Sequence, residues 1–223
     1  MKKRFTTGLM LMVCVMFVAA AHAATWQAGI KGGVAIQKLS GDDVNSGQVD
    51  NRTGFAGGAY VQSDLSRNFG VRLETLYFMK GAAADVDTLG LKASVTVKLD
   101  YVEFPLLAVA HLPVSEKARV DIFGGPTFAF NTSAKGEVSV GGFSGSSDIG
   151  SGVKSFDFGL TFGAGINFDA GSALIGIDGR YGFGLQSIVD SDALSGFGFS
   201  GNADAKNKGF AIMASVGMPI GKK

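Results

Sequence analysis

Between residues 156 and 168 the chain reads FDFGLTFGAGINF. Positions 156, 158, 160, 162, 164, 166 and 168 are Phe, Phe, Leu, Phe, Ala, Ile and Phe, and the positions between them are Asp, Gly, Thr, Gly, Gly and Asn. A strict period of two assigns this stretch to a β-strand with one oily face. A soluble sandwich would bury that face and set the other against water. Here the other face is half glycine, which suits a narrow, crowded interior. The stretch is therefore read as one stave of a membrane barrel.

The same alternation recurs along the chain. Strands are expected at 26–35, 54–62, 69–80, 92–110, 119–131, 156–168, 173–185 and 209–219. Pro105 lacks an N–H for a ladder, so a bulge or a local break in pairing is expected there. The segments 36–53, 81–91, 132–153 and 186–208 are polar, glycine-rich and read as flexible loops, with room for a short hairpin in 136–143. The other connections are short. Long and short connections thus alternate, and the expected fold is all-β: an eight-stranded antiparallel up-and-down transmembrane β-barrel with four long extracellular loops and short periplasmic turns. Closure hides the edge strands, and in lipid it is compulsory because unpaired backbone groups have no water to bind. Trp26, Phe69, Tyr77, Phe156 and Tyr181 are candidates for the aromatic borders of the oily band. The alternative is a soluble periplasmic or extracellular barrel or sandwich with these faces as its core.

Residues 1–23 read as a separate object. Lys2, Lys3 and Arg4 precede an apolar run from Gly8 to Ala20, and Ala21-His22-Ala23 is a small-x-small cleavage site, the pattern of a secretory signal peptide. A lipoprotein signal ending at Cys14 is the weaker rival, because it leaves a very short apolar core. The domain organisation is thus a leader at 1–23 and a barrel at 24–223. Removing the leader takes 20 Lys plus Arg to 17 against 19 Asp plus Glu, a net charge of −2. That balance argues against nucleic-acid binding. The mature chain has no Cys and only His111 among histidines, which excludes thiol catalysis, disulfides and Cys-based metal sites. No metal, cofactor or catalytic residue is assigned.

The parity opposite to the oily faces holds Lys31, Arg72, Glu74, Glu103, Asp121, Asp157, Asp178 and Arg180. Charges inside an eight-stranded barrel must pair across the lumen or meet water. These eight are expected to form an interior ionic network, with Lys31, Arg72 and Arg180 answering five carboxylates. The excess acid calls for water, a protonated group or a further partner.

The segments GIKGGVAIQKLSGD at 29–42, VRLETLYFMKGA at 71–82, LDYVEFPLLAVA at 99–110, IFGGPTFAF at 122–130, FDFGLTFGAGINF at 156–168 and IGIDGRYGFGL at 175–185 together resemble the PorT-like or OmpA-like small outer-membrane β-barrel domain family. In that resemblance Glu74 matches the strand-three glutamate. Tyr101, Glu103 and Pro105 match its Tyr-x-Glu-x-Pro step, and Gly125-Pro126 its Gly-Pro step. The resemblance implies location and fold more than activity. It implies contact with outer-membrane lipids and lipopolysaccharide, insertion by the barrel-assembly machinery, and a surface ligand taken by the long loops of a monomer. The chain departs from the usual aromatic C-terminus of such barrels, ending Met218-Pro219-Ile220-Gly221-Lys222-Lys223.

A non-enzymatic structural or surface-binding barrel is the favoured expectation. A lipid-modifying enzyme would need a base beside its nucleophile. His111 is the one histidine offered, and it is expected as an ordinary interfacial residue on the periplasmic rim. A small channel of low conductance is the third class, opposed by bulky ionic residues in so narrow a lumen.

Overall fold

A computed structural model describes residues 25–41, 50–88, 91–140, 143–190 and 204–220. The expected leader lies outside them, as do residues 42–49 and 191–203 of the expected loops. Nine strands are described: β1 (Thr25–Ser40), β2 (Asp50–Asp64), β3 (Phe69–Thr88), β4 (Leu91–Pro113), β5 (Ala118–Val140), β6 (Phe143–Asp148), β7 (Phe156–Asp169), β8 (Leu174–Gly184) and β9 (Lys206–Ile220). A 3-10 turn at Gly150–Gly152 follows β6.

Eight of these strands form a closed antiparallel ring. The hydrogen-bonded order is β4-β3-β2-β1-β9-β8-β7-β5, and β4 pairs with β5 to complete it. The sixth strand is outside the ring, laid on the outer half of β5 from Lys135↔Asp148 to Val140↔Phe143. Trp26 opposes Ile220, which places both ends of the described chain on the rim of short turns.

The register fixes the barrel's shape. From Trp26 the partners run to Ser63, Val71, Ala108, Gly124, Phe162, Tyr181, Phe210 and then Ile36. One circuit therefore returns to β1 ten residues beyond its start, at Ile36 instead of Trp26. With that stagger over eight strands, standard strand spacings give a tilt of about 40° and a backbone radius of about 8 Å. A lumen this narrow is filled by side chains.

Alternation sorts the side chains as the sequence predicts. The outward set includes Ile30, Val34, Phe55, Leu73, Ile122, Phe162, Ile177, Ile212 and Val216, all exposed. Ile30 is 69% exposed, which no water-soluble β-sheet tolerates as part of a continuous band around its whole circumference. The candidate border aromatics Trp26, Phe69, Tyr77, Phe156 and Tyr181 also point outward. Lipid is the medium that fits this surface.

Several expectations need correction. Two of the four expected loops, 81–91 and 132–153, are in large part continuations of the strands. The third and fourth strands pair all the way to Thr88↔Leu91, so 81–88 belongs to a ribbon rather than to an open loop. The fifth strand runs on to Val140 and turns back as β6, which absorbs most of 132–153. The first strand extends to Ser40, and β2 begins at Asp50. Beyond the bilayer both faces of a ribbon meet water, so its composition turns polar and resembles a loop, while the ladder still pairs the backbone groups on the facing edges of its strands. With 20, 23 and 23 residues, β3, β4 and β5 are about twice the length a tilted strand needs to span a bilayer.

At Pro105 the ladder breaks without a bulge. Pairing between β3 and β4 lapses from Leu73↔Leu106 to Leu76↔Glu103 and resumes in the same register. A second lapse, between β4 and β5, flanks Pro126 in the same way. The true register shifts lie elsewhere, at Asp100/Tyr101 on β4 and between Asn51 and Ala56 on β2.

Candidate functional site

Charged side chains on the inner parity of six strands converge in the lumen. Lys31, Arg72, Glu74, Glu103, Asp121, Asp157, Asp178 and Arg180 are all buried, Glu74 completely. Four of them form the centre. Glu74 of β3 takes Arg180 of β8 at 2.5 Å (Nη1 to Oε2) and Lys31 of β1 at 2.9 Å. Lys31 also reaches Asp178 at 2.8 Å. Arg180 closes the circle by donating Nε and Nη2 to Asp178, each at 2.9 Å. Two cations and two carboxylates thus neutralise one another across the full width of the barrel. Arg180 and Arg72 also lie over the Phe123 ring, at 5.2 and 5.5 Å from its centroid, so their less hydrated faces are covered as well.

Arg72 links this centre to the periplasmic end. Its Nη2 is 3.0 Å from Asp121 Oδ2, and its Nε donates to Gln62 Oε1 at 2.6 Å. Asp121 is also held by His111 Nδ1 at 2.7 Å, by Asn167 Nδ2 at 2.9 Å and by Arg119 Nε at 3.2 Å. His111 Nε2 meets Asp64 at 3.1 Å, and Asp64 accepts from Gln27 and Gln62.

The remaining two predicted residues belong to a separate group nearer the outer end. Lys80 lies 2.5 Å from Glu103, and Asn207 donates to Asp157 at 2.9 Å. The eight residues are therefore divided into a central ring with a periplasmic extension and a distinct outer cluster.

Three partners were not in the expected set. Lys80 and Arg119 supply the missing positive charge, and His111 faces inward at 2% exposure rather than outward into the interface. The signal for each was present. Lys80 shares parity with Arg72 and Glu74, but ending the strand at residue 80 put it on the rim; β3 continues to Thr88 and keeps it inside. His111 shares parity with Tyr101 and Glu103, and β4 continues through it to Pro113.

Two small cavities with charged groups in their walls flank the central ring. One, about 30 Å³, is lined by Arg180, Lys80, Glu103 and Asp157; the other, about 10 Å³, is lined by Lys31, Arg72, Asp121 and Asp178. Each has room for only one or a few waters. Among the described residues, no group of three or more His, Cys, Asp or Glu is placed to hold a metal ion. Both ring nitrogens of His111 face carboxylates, an arrangement that fixes the ring instead of offering it to a hydroxyl.

No curated protein matches the chain. Among solved structures, OprG from Pseudomonas aeruginosa is similar over 89% of this chain and 98% of its own, with 15% identity and a TM-score of 0.48. Neisserial surface protein A is similar over 86% and 96%, with 11% identity and a TM-score of 0.45. Ail of Yersinia pestis is similar over 86% and 98%, with 16% identity and a TM-score of 0.39. A family model described as outer membrane protein beta-barrel domain matches residues 19–190, more than three quarters of the sequence. The protein is an outer-membrane β-barrel and belongs to that family.

Proposed function

We propose that the protein is a non-enzymatic outer-membrane barrel with a closed lumen, acting through the surface that its extended outer strands present. The observation that carries this reading is the Arg180–Glu74–Lys31–Asp178 ring, which occupies the lumen between two cavities of a few waters each. A conducting pathway would have to break these contacts, and each broken contact leaves a buried charge uncompensated. Support for a non-catalytic role comes from His111, whose two nitrogens are occupied by Asp121 and Asp64.

The outer ribbons supply the working surface. The β5–β6 hairpin carries Phe143, 85% exposed, beyond the ring of strands. In this reading the chain is exported behind the leader at 1–23, inserted by the barrel-assembly machinery, and works as a monomer among outer-membrane lipids and lipopolysaccharide.

The test is electrical. Purified barrel in planar bilayers is expected to give no steady current. Stable single-channel openings of the unmodified protein would overturn the closed-lumen reading and favour a small channel.

A further inference from the structure

The outer end of the barrel contains a second kind of space. A cavity of about 280 Å³ is bounded by Leu39 of β1 and by Val97 and Leu99 of β4, all on the inner parity of their strands. Its other wall comes from two straps that cross the mouth. Ile149 and Val153 flank the 3-10 turn, and Ile188 and Val189 follow β8. Among the described residues, no polar side chain lines it.

The straps are tied to each other and to the rim. Val153 and Val189 form an antiparallel bridge, Lys154 N donates to Ile188 O at 2.7 Å, and Asp190 N donates to Gly152 O at 3.0 Å. Ile149 N donates to Ala134 O of β5 at 3.0 Å, and Ile188 N to Ala205 O at 2.8 Å. Backbone hydrogen bonds therefore hold the pocket open in a fixed shape. Pre-formed apolar walls of this kind are the usual make-up of a small-molecule site.

The chemistry of the occupant follows from the walls. A charged or strongly polar group would lose its hydration here with nothing in return, so the ligand is uncharged and apolar. At about 30 Å³ per water-sized group, the space corresponds to roughly ten heavy atoms. The lining side chains face the lumen, so the strands themselves separate the pocket from the acyl chains outside. The charged Lys80–Glu103 pair and the ionic ring stand across the lumen on the inner side, so nothing apolar passes onward. We propose that this pocket binds a small, uncharged, apolar molecule of about ten heavy atoms that enters from the extracellular side. The proposal gives the surface-binding reading a ligand class and takes its outward orientation from that reading.

The experiment uses the refolded barrel in lipid nanodiscs, with methyl NMR and p-xylene as the probe. Saturable shifts are expected at Val97, Leu99, Ile188 and Val189, while the lipid-facing Ile30 and Ile177 drift without saturating. Val97→Phe, which fills the pocket with an apolar ring, is expected to abolish the saturable shifts. Val189→Asp is expected to weaken binding at least tenfold. Heat-modifiable gel mobility checks that each variant forms a barrel; where one does not, the unmodified protein's titration decides. Equal, unsaturating drift at both sets of methyls would overturn the proposal, as would unchanged binding by a folded Val97→Phe barrel. Cross-peaks from the pocket methyls to lipid acyl chains that p-xylene does not displace would assign the space to lipid and overturn it too. None of these readouts depends on conductance, so failure of the pocket leaves the closed-lumen reading to its own test.

Discussion

Arg180 and Glu74 are 106 residues apart in sequence and meet in the lumen with Nη1 2.5 Å from Oε2. Glu74 also holds Lys31, so one carboxylate satisfies two cations from two other strands. Changing it to glutamine keeps the volume and removes the charge. Lys31 and Arg180 are then left with Asp178 alone at the centre. Glu74→Gln is expected to destabilise the folded barrel by about 3–5 kcal/mol, the usual cost of stranding a buried charge. Urea unfolding in lipid vesicles measures it. A loss below about 1 kcal/mol, the level of an exposed pair, would mean that water reaches this layer freely.

Arg180 also lies between the two lumen cavities, lining the outer one while its partners Lys31 and Asp178 line the inner one. Truncating it by Arg180→Ala removes the side chain that separates them. Short-lived small currents are expected in planar bilayers, where the unmodified protein is silent. Continued silence of a folded Arg180→Ala barrel would show that the seal is made by other residues.

The eight strands were legible because lipid imposes a strict rule on the outer face. Every second residue of FDFGLTFGAGINF faces the oily side, and the same holds for Ile175, Ile177 and Tyr181 on β8. The eight inner charges were legible for the converse reason, since a charge on the lipid parity is too costly. Strand ends were not legible. Outside the bilayer the rule lapses, and Thr, Ser and Lys suit a ribbon as well as a loop. Lys80 and His111 were missed at those ends. Tertiary pairing, such as Gly81↔Lys98 on one edge and Trp26↔Ile220 on another, carries no local signal. The pocket at the mouth was equally invisible, because Ile149, Val153, Ile188 and Val189 are scattered apolar residues in segments of loop-like composition.

Gly29 and Gly163 on the inner face leave room for aromatic rings. A Cβ added at Gly163 would lie 2.7 Å from Cε2 of Phe123, the ring on which Arg72 and Arg180 rest. Gly29 stands in the same relation to Tyr60, with Cε1 at 2.7 Å. Gly163→Ala is therefore expected to cost about 1–3 kcal/mol through overpacking. Phe123→Leu in the same chain relieves part of that cost, and a double-mutant cycle in urea unfolding measures the coupling. Strict additivity of the two changes would mean that the backbone contact with Gly179, also close to the added carbon, sets the penalty instead.

Ile30 provides the most direct test of the membrane surface. It lies on the outward parity of β1, opposite Ala59 of β2 and Val216 of β9, and among the described residues is the most exposed large apolar side chain on the strands of the ring. In a water-soluble protein an arginine at so exposed a site changes stability by no more than about 0.5 kcal/mol. In the hydrocarbon region of a bilayer it costs about 2–4 kcal/mol near the midplane. Ile30→Arg is expected to lower the yield of heat-modifiable barrel in outer-membrane fractions and to shift urea unfolding in vesicles by that amount. Gln27→Arg on the same strand serves as the inner-face control, since it faces the carboxylate of Asp64 and adds a charge that the lumen can pair. Equal tolerance of both substitutions would place the Ile30 face in water rather than lipid.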